Sequence, residues 1–215
     1  MRKFGLVIGA VVLLGGLNWL LHEDETDGSG YVLLALAWTP GWCALEGTAR
    51  NAPRCAEGSQ AGWLVHGLWP QNDDGTWPEF CTASPVDPPP AILDSMTDIM
   101  GSSGLAAHQW RKHGTCSGRG PTEYFSDTRK AFEKLHFPER LLPREATRMS
   151  PDAILTEFTK ANPEVGADMA VLTCRDGLLH EIRLCLTDEL TPKPCDSRTL
   201  RRACQAEEIT VPPKP

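Results

Sequence analysis

The sequence predicts one α+β domain held together by about four disulfides. Three observations predict it. Short apolar runs of strand character open the folded region and recur in the last third. The middle of the chain carries helical spacing with helix-start signals. Eight cysteines, an even number with no Cys-x-x-Cys pair, are spread through the chain. A length of 215 residues is enough for one domain with a real core. A hydrophobic share of 41% and a charged share of 23% exclude low-complexity disorder for the bulk of it. Cysteines at these spacings disfavour a zinc ribbon or finger and favour bridges formed in an oxidising compartment.

The elements follow in order. Arg2 and Lys3 precede an apolar run from Phe4 to Leu21. This is the pattern of an export signal, although the run is long for one and close to the ~18–20 residues of a membrane span. No small-x-small cleavage site follows it. Residues 1–21 therefore read as a signal peptide or as a retained N-terminal membrane anchor, and either reading puts the rest outside the cytoplasm, periplasmic or extracellular. Residues 22–30, rich in Asp, Glu and Gly, read as a linker. Residues 31–38 are a strand buried on both faces that ends at Pro40-Gly41. A cysteine-bounded loop runs from Cys43 to Cys55. Residues 63–70 are a second strand, with Pro70 at a strand end or sheet edge because it cannot donate to a ladder. Residues 82–90 contain four prolines and form a loop. Residues 91–100 and 105–113 are helix candidates. Residues 121–136 open with Pro121 and space Tyr124, Phe125, Phe132 and Leu135 as an amphipathic helix. Ser150-Pro151 caps a helix running to about Ala161. From Leu178 to Leu186, Ile182, Leu184 and Leu186 alternate with Glu181, Arg183 and Cys185, the period of a strand. The polar, Pro-rich residues 207–215 are expected to fray as a flexible tail, leaving 31–206 as the domain.

The formal charge is −7, which argues against avid coating of nucleic acid. The charge is uneven. Residues 108–148 hold nine Lys and Arg against five acids, whereas residues 31–107 are strongly acidic. A local positive cleft on an acidic body fits this distribution. Two segments can carry chemistry: His66-Gly67-Leu68-Trp69-Pro70 and His108-Gln109-Trp110-Arg111-Lys112-His113-Gly114-Thr115-Cys116. On a helix, His108 and Lys112 lie four residues apart, as do Gln109 and His113, so two neighbouring stripes gather two imidazoles, an amide and an ammonium. Such a cluster is costly to bury without partners and suits a phosphoryl centre. Imidazole can take and give protons near neutral pH, and a nearby cation offsets charge on phosphate oxygens. RNA supplies an internal 2′-hydroxyl nucleophile beside each phosphodiester, and DNA does not. Taken singly, Trp63, Trp69 and Trp110 read as core, and His22, His136 and His180 as structural.

The two segments resemble those of the ribonuclease T2 family. Residues 66–70 match its H-G-L-W-P string completely, and residues 108–116 match its H-E-W-x-K-H-G-T-C string at every defined position but one. The similarity extends to Leu36-Ala-Trp-Thr-Pro-Gly-Trp-Cys43, Tyr124-Phe125 and the segment from Cys174 to Cys185, and so spans roughly residues 31–204. The resemblance implies an antiparallel sheet flanked by helices. It implies an endoribonuclease acting on single-stranded RNA, as a monomer without metal or other cofactor, through a 2′,3′-cyclic phosphate to 3′-phosphate ends. His66 and His113 would be the acid–base pair, with His113 as base and His66 as acid by analogy. His108 would hold the phosphate and Lys112 would stabilise the transition state. Trp69, Gln71 and Trp77 would form the base site. The pairs Cys43–Cys55, Cys81–Cys116, Cys174–Cys204 and Cys185–Cys195 are likewise implied by the resemblance, since the sequence alone leaves roughly a hundred pairings open. The departure is Gln109, where the family usually has Glu. Gln keeps the shape and loses the charge, which implies a rate reduced by roughly tenfold to a hundredfold at most, not an inactive protein. Two other functions compete: a binding protein of this fold without catalysis, and a secreted zinc hydrolase built on His108, His113 and Cys116.

Overall fold

The apolar run at the start of the domain forms β1 (Tyr31–Trp38), with one partly exposed residue among eight. The computed structural model describes residues 30–215. The expected signal or anchor at 1–21 and all but the last residue of the expected linker lie outside the described residues. β1 pairs antiparallel with β2 (Trp63–Gln71) on one side and with β5 (Leu178–Leu186) on the other. The remaining strands are β3 (Thr147–Met149), β4 (Ala170–Arg175) and β6 (Ile209–Val211). The sheet runs β2-β1-β5-β6-β3, and β4 also pairs with β5. Every ladder is antiparallel except the contact of β5 with β6, where Leu178 faces Thr210 in parallel. β2 is an edge strand, as Pro70 requires. The buried hydroxyl of Tyr124 donates to the Leu68 carbonyl at 2.9 Å and satisfies part of that edge.

Alternation along β1 divides the interior. Val32, Leu34, Leu36 and Trp38 enter the main core, while Tyr31, Leu33 and Ala35 enter a smaller cluster on the opposite face. Among the described residues, seven α-helices accompany the sheet: α1 (Thr39–Trp42), α2 (Pro90–Ser95), α3 (Thr97–Met100), α4 (Ser103–Lys112), α5 (Pro121–Glu133), α6 (Pro151–Ala161) and α7 (Ser197–Leu200). α1 continues as a wider helical turn over Cys43–Gly47, so the expected loop begins as helix. α6 starts where Ser150-Pro151 says it should, with the Ser150 hydroxyl accepting from the Ala153 N–H at 3.1 Å. α4 is capped by Ser102, whose hydroxyl accepts from the Leu105 N–H at 3.2 Å. Trp110 of α4, Tyr124 and Phe125 of α5, and Ile154 and Phe158 of α6 pack onto the even-numbered face of β1. Each large side chain buried in this way contributes about 1.5–3 kcal/mol.

Two expectations are corrected. The C-terminal residues do not fray throughout. Ile209 and Val211 are fully buried in the main core, β6 pairs with β3, and the Trp38 indole donates to the Pro212 carbonyl at 3.0 Å. The β-branched triplet Ile209-Thr210-Val211 favours a strand, and it extends the domain beyond residue 206. The basic segment also does not line a cleft as a block. Arg119 pairs with Asp127, Arg129 with Asp98, Arg140 with Glu157 and Arg148 with Glu208. Most of that charge is neutralised on the surface. All four expected disulfides are present: Cys43–Cys55, Cys81–Cys116, Cys174–Cys204 and Cys185–Cys195.

Candidate active site

The site begins with an irregularity in β2. Ala35 pairs with Gly67 and Leu36 pairs with Val65, so His66 is an extra residue without a partner on β1, a β-bulge. Residues three apart on a regular strand face opposite sides of the sheet. The bulge cancels this, placing His66 and Trp69 together in a cleft while Trp63, Val65 and Leu68 all enter the main core. The floor beneath them is made of small residues. Ala35 lies between Gly67 and Arg183 across three strands, and Ala37 lies between Leu64 and Glu181. Side chains from β2 and β5 can therefore lie over β1. A Cβ on Gly67 would collide with the Gln109 amide and the Trp69 indole nitrogen, so this position needs glycine.

α4 supplies the other wall. His108, Gln109 and Lys112 line the cleft with His113, which stands one residue past the helix end. The His113 N–H still donates to the Gln109 carbonyl at 2.9 Å, so the two expected stripes hold to the end of the helix. The cleft encloses about 200 Å³ and is also lined by Leu33, Gln71, Trp77, Glu79, Arg183, Thr199 and Arg202. Trp69 is its centre. The His113 ring stacks on it at 5.3 Å between centroids, and the His66 ring meets it edge-on at 5.2 Å. The Trp69 indole N–H donates to the Gln109 Oε1 at 2.8 Å. The two imidazoles, from a strand and a helix end, thus converge on one aromatic ring.

Their environments differ. His66 is about 39% exposed, and its Nδ1 lies 2.6 Å from a carboxylate oxygen of Glu181, which is only 1% exposed. Arg183 donates to the other Glu181 oxygen at 2.8 Å through Nε and contacts it at 2.7 Å through Nη2. Burial opposes the Glu181 charge, but the hydrogen bond from His66 and the charges of His66 and Arg183 outweigh it and hold the carboxyl down at about 2. His113 is 4% exposed, and its Nδ1 is buried without a hydrogen-bond partner. Burial, reinforced by the Lys112 charge, depresses its pKa to about 3, so the ring is neutral. His108 is also pushed down, first by burial and then by Lys112. Lys112 Nζ sits 3.0 Å from Glu79. Glu79 also accepts from the Trp77 indole at 2.9 Å, and Arg202 stands 4.2 Å over the Trp77 ring. The Gln71 amide donates to the Pro70 carbonyl at 2.8 Å, which fixes its orientation at the cleft wall.

All eight residues singled out from the two motifs and their neighbourhood, His66, Trp69, Gln71, Trp77, His108, Gln109, Lys112 and His113, line one cleft. Sequence reasoning missed Glu79, Glu181, Arg183 and Arg202. Strand alternation assigns Glu181 and Arg183 only to the face opposite Ile182 and Leu184, and their role at the site depends on the small floor residues of β1. Cys116 is bonded to Cys81, which removes the thiolate a zinc site on His108, His113 and Cys116 would need. A second groove shares His66 with this cleft and adds Trp42, Arg50, Arg54, Arg175, His180 and Glu181.

The comparisons agree with one another. A model of the ribonuclease T2 family matches residues 29–195. A ribonuclease of Aeromonas hydrophila is 34% identical over 137 residues, 61% of this chain and 60% of that protein. A probable ribonuclease of Haemophilus influenzae is 32% identical over 126 residues, 54% of this chain and 46% of that protein. The matched region thus spans about half the length of these bacterial relatives. The solved structure of an RNase-related protein from Calystegia sepium superposes with a TM-score of 0.68 at 24% identity, covering 87% of this chain and 99% of the other, a likeness of fold.

Proposed function

The chain belongs to the ribonuclease T2 family, and from that premise we propose that it is an exported endoribonuclease that cleaves single-stranded RNA without a metal. The observation that carries this reading is the convergence of His66 and His113 on Trp69, with Lys112 on the same cleft. In the proposed reaction, one imidazole removes the 2′-hydroxyl proton and that oxygen attacks the adjacent phosphorus. The other imidazole protonates the departing 5′-oxygen, leaving a 2′,3′-cyclic phosphate. Water then opens the ring with the roles reversed, giving a 3′-phosphate. Each well-placed proton-transfer group supplies roughly 10²–10⁴ in rate.

The environments favour His113 as base and His66 as acid. A base must start neutral, and burial keeps His113 neutral. A phosphodiester beside that ring adds a negative charge that draws its pKa back towards neutrality when substrate binds. The Glu181 carboxylate on Nδ1 of His66 orients the ring with Nε2 free for the leaving oxygen. Lys112 and His108 face the non-bridging oxygens. Trp69, Trp77 and Gln71 offer stacking and hydrogen bonding to a base, and the Trp42 and arginine groove beyond His66 can receive a neighbouring nucleotide. Gln109, neutral and bonded to Trp69, orients that ring and lacks the charge of the family's usual Glu. Residues 1–21 would deliver the protein across the membrane, where its four disulfides persist.

Digestion of a defined RNA in EDTA, with product ends read by mass, tests this. Cyclic phosphate followed by 3′-phosphate ends is the expected result, with no cleavage of a strand carrying 2′-deoxyribose at the scissile position. Purified protein that cuts RNA no faster than its His113→Ala variant would overturn the reading, and loss of activity in EDTA would overturn its metal-free chemistry.

A further inference from the structure

We propose that Glu79 is the positioning residue for Lys112 and carries the negative charge that position 109 lacks, an inference that rests on the ribonuclease reading. Gln109 cannot serve as an ionic partner, and its amide oxygen is already taken by the Trp69 indole. Lys112 finds its counter-charge in a different segment, with Glu79 at 3.0 Å. Of the other titratable groups lining the cleft, His66, His108, His113, Arg183 and Arg202 are cationic or neutral. Glu79 is therefore the carboxylate that faces the ammonium.

The placement of Glu79 is built in. The next residue, Phe80, adopts a left-handed backbone at φ 51°, which is strained for a residue with a side chain. That kink lets the Phe80 N–H donate to the Lys112 carbonyl at 2.8 Å, closing the last turn of α4. One residue further, Cys81 is bonded to Cys116 just beyond the helix. A covalent bridge and a main-chain hydrogen bond thus clamp residues 79–81 to the end of α4. The Glu79 carboxylate spans Lys112 and the Trp77 indole, and so couples the phosphate side of the cleft to its base side. Lys112 and Gln109 are three residues apart on α4 and share a face, so a carboxylate at 109 would reach the same ammonium.

The experiment is a rescue. In Glu79→Gln, kcat on a dinucleotide should fall by about tenfold while KM changes less than about threefold, because the ammonium keeps its charge and loses its alignment to the transition state. The thermal midpoint should stay in place, since a half-exposed ion pair adds little stability and the clamp is main-chain and disulfide. Adding Gln109→Glu to Glu79→Gln should return kcat to within about threefold of the parent. A Glu79→Gln protein with unchanged kcat, or a double variant no faster than Glu79→Gln, overturns the proposal. A parent protein no faster than His113→Ala overturns the ribonuclease reading itself, which separates the two failures.

Discussion

At the scale of single residues, the site separates its two imidazoles by what lies behind each ring. His113 has a buried, unpartnered Nδ1 and a pKa near 3. For the free enzyme, the acid limb of kcat/KM should therefore fall well below pH 6.5, and the acid limb of kcat should lie higher because bound phosphate raises the pKa of the base. Coincident limbs in a pH–rate series would remove His113 from that role. Glu181→Gln keeps a hydrogen-bond partner on His66 but leaves Arg183, which is 17% exposed, without its charge partner. We expect kcat to fall by roughly tenfold to a hundredfold and stability to drop by about 1–3 kcal/mol, read from dinucleotide kinetics and urea melts. The motif residues were legible because they occupy two contiguous strings. Glu181 was not: strand alternation gives the face of a charged residue, but whether that face meets water depends on the size of Ala35 and Ala37 on the neighbouring strand.

At the scale of elements, those with a chemical start signal were legible. The Ser150-Pro151 cap and Pro121 placed α6 and α5, and the apolar runs placed β1, β2 and β5. β3, β4 and β6 were missed because short strands carry little periodicity. β6 is nevertheless structural. Truncation after residue 206 removes buried Ile209 and Val211 and the partner of the Trp38 indole, and should destabilise the protein by about 3–5 kcal/mol, measured as a shift in the denaturant midpoint. An unchanged midpoint would return those residues to the status of a tail. Gly67→Ala should cost about 1–3 kcal/mol and slow cleavage, because its methyl would part Trp69 from Gln109.

At the scale of the whole molecule, acid should unfold the protein in two stages. Between pH 6.5 and 3 the unfolded chain binds a proton at His113 that the native state refuses, so native stability falls as pH drops through that window, by a few kcal/mol in total. His180, depressed mainly by burial, adds in the same direction. Glu181 and Asp196 have native pKa values of about 2. They stabilise the fold above the ordinary carboxylate range, and that stability is lost as pH falls from about 4.5 towards 2. Urea midpoints measured from pH 7 to 3 should decline throughout, and His113→Gln should flatten the upper part of the decline. A His113→Gln curve parallel to the parent would show that the ring titrates normally in the native protein. The strand-like apolar runs, the helical spacing between them and the cysteine count made the disulfide-stapled α+β class legible. The uneven charge misled about the cleft, which draws Lys112 from the basic segment but Arg183 and Arg202 from outside it.

The unpaired residue in β2 also sets a phase slip that a substitution scan can hear. Polar replacements along the strand should be damaging at odd positions, 63 and 65, before the slip. They should be damaging at an even position, 68, after it, because one beat is skipped at His66. Deleting that one residue would leave a continuous ladder with Trp69 still opposite Leu33 on the cleft side, so the strand would keep its platform and lose only its imidazole.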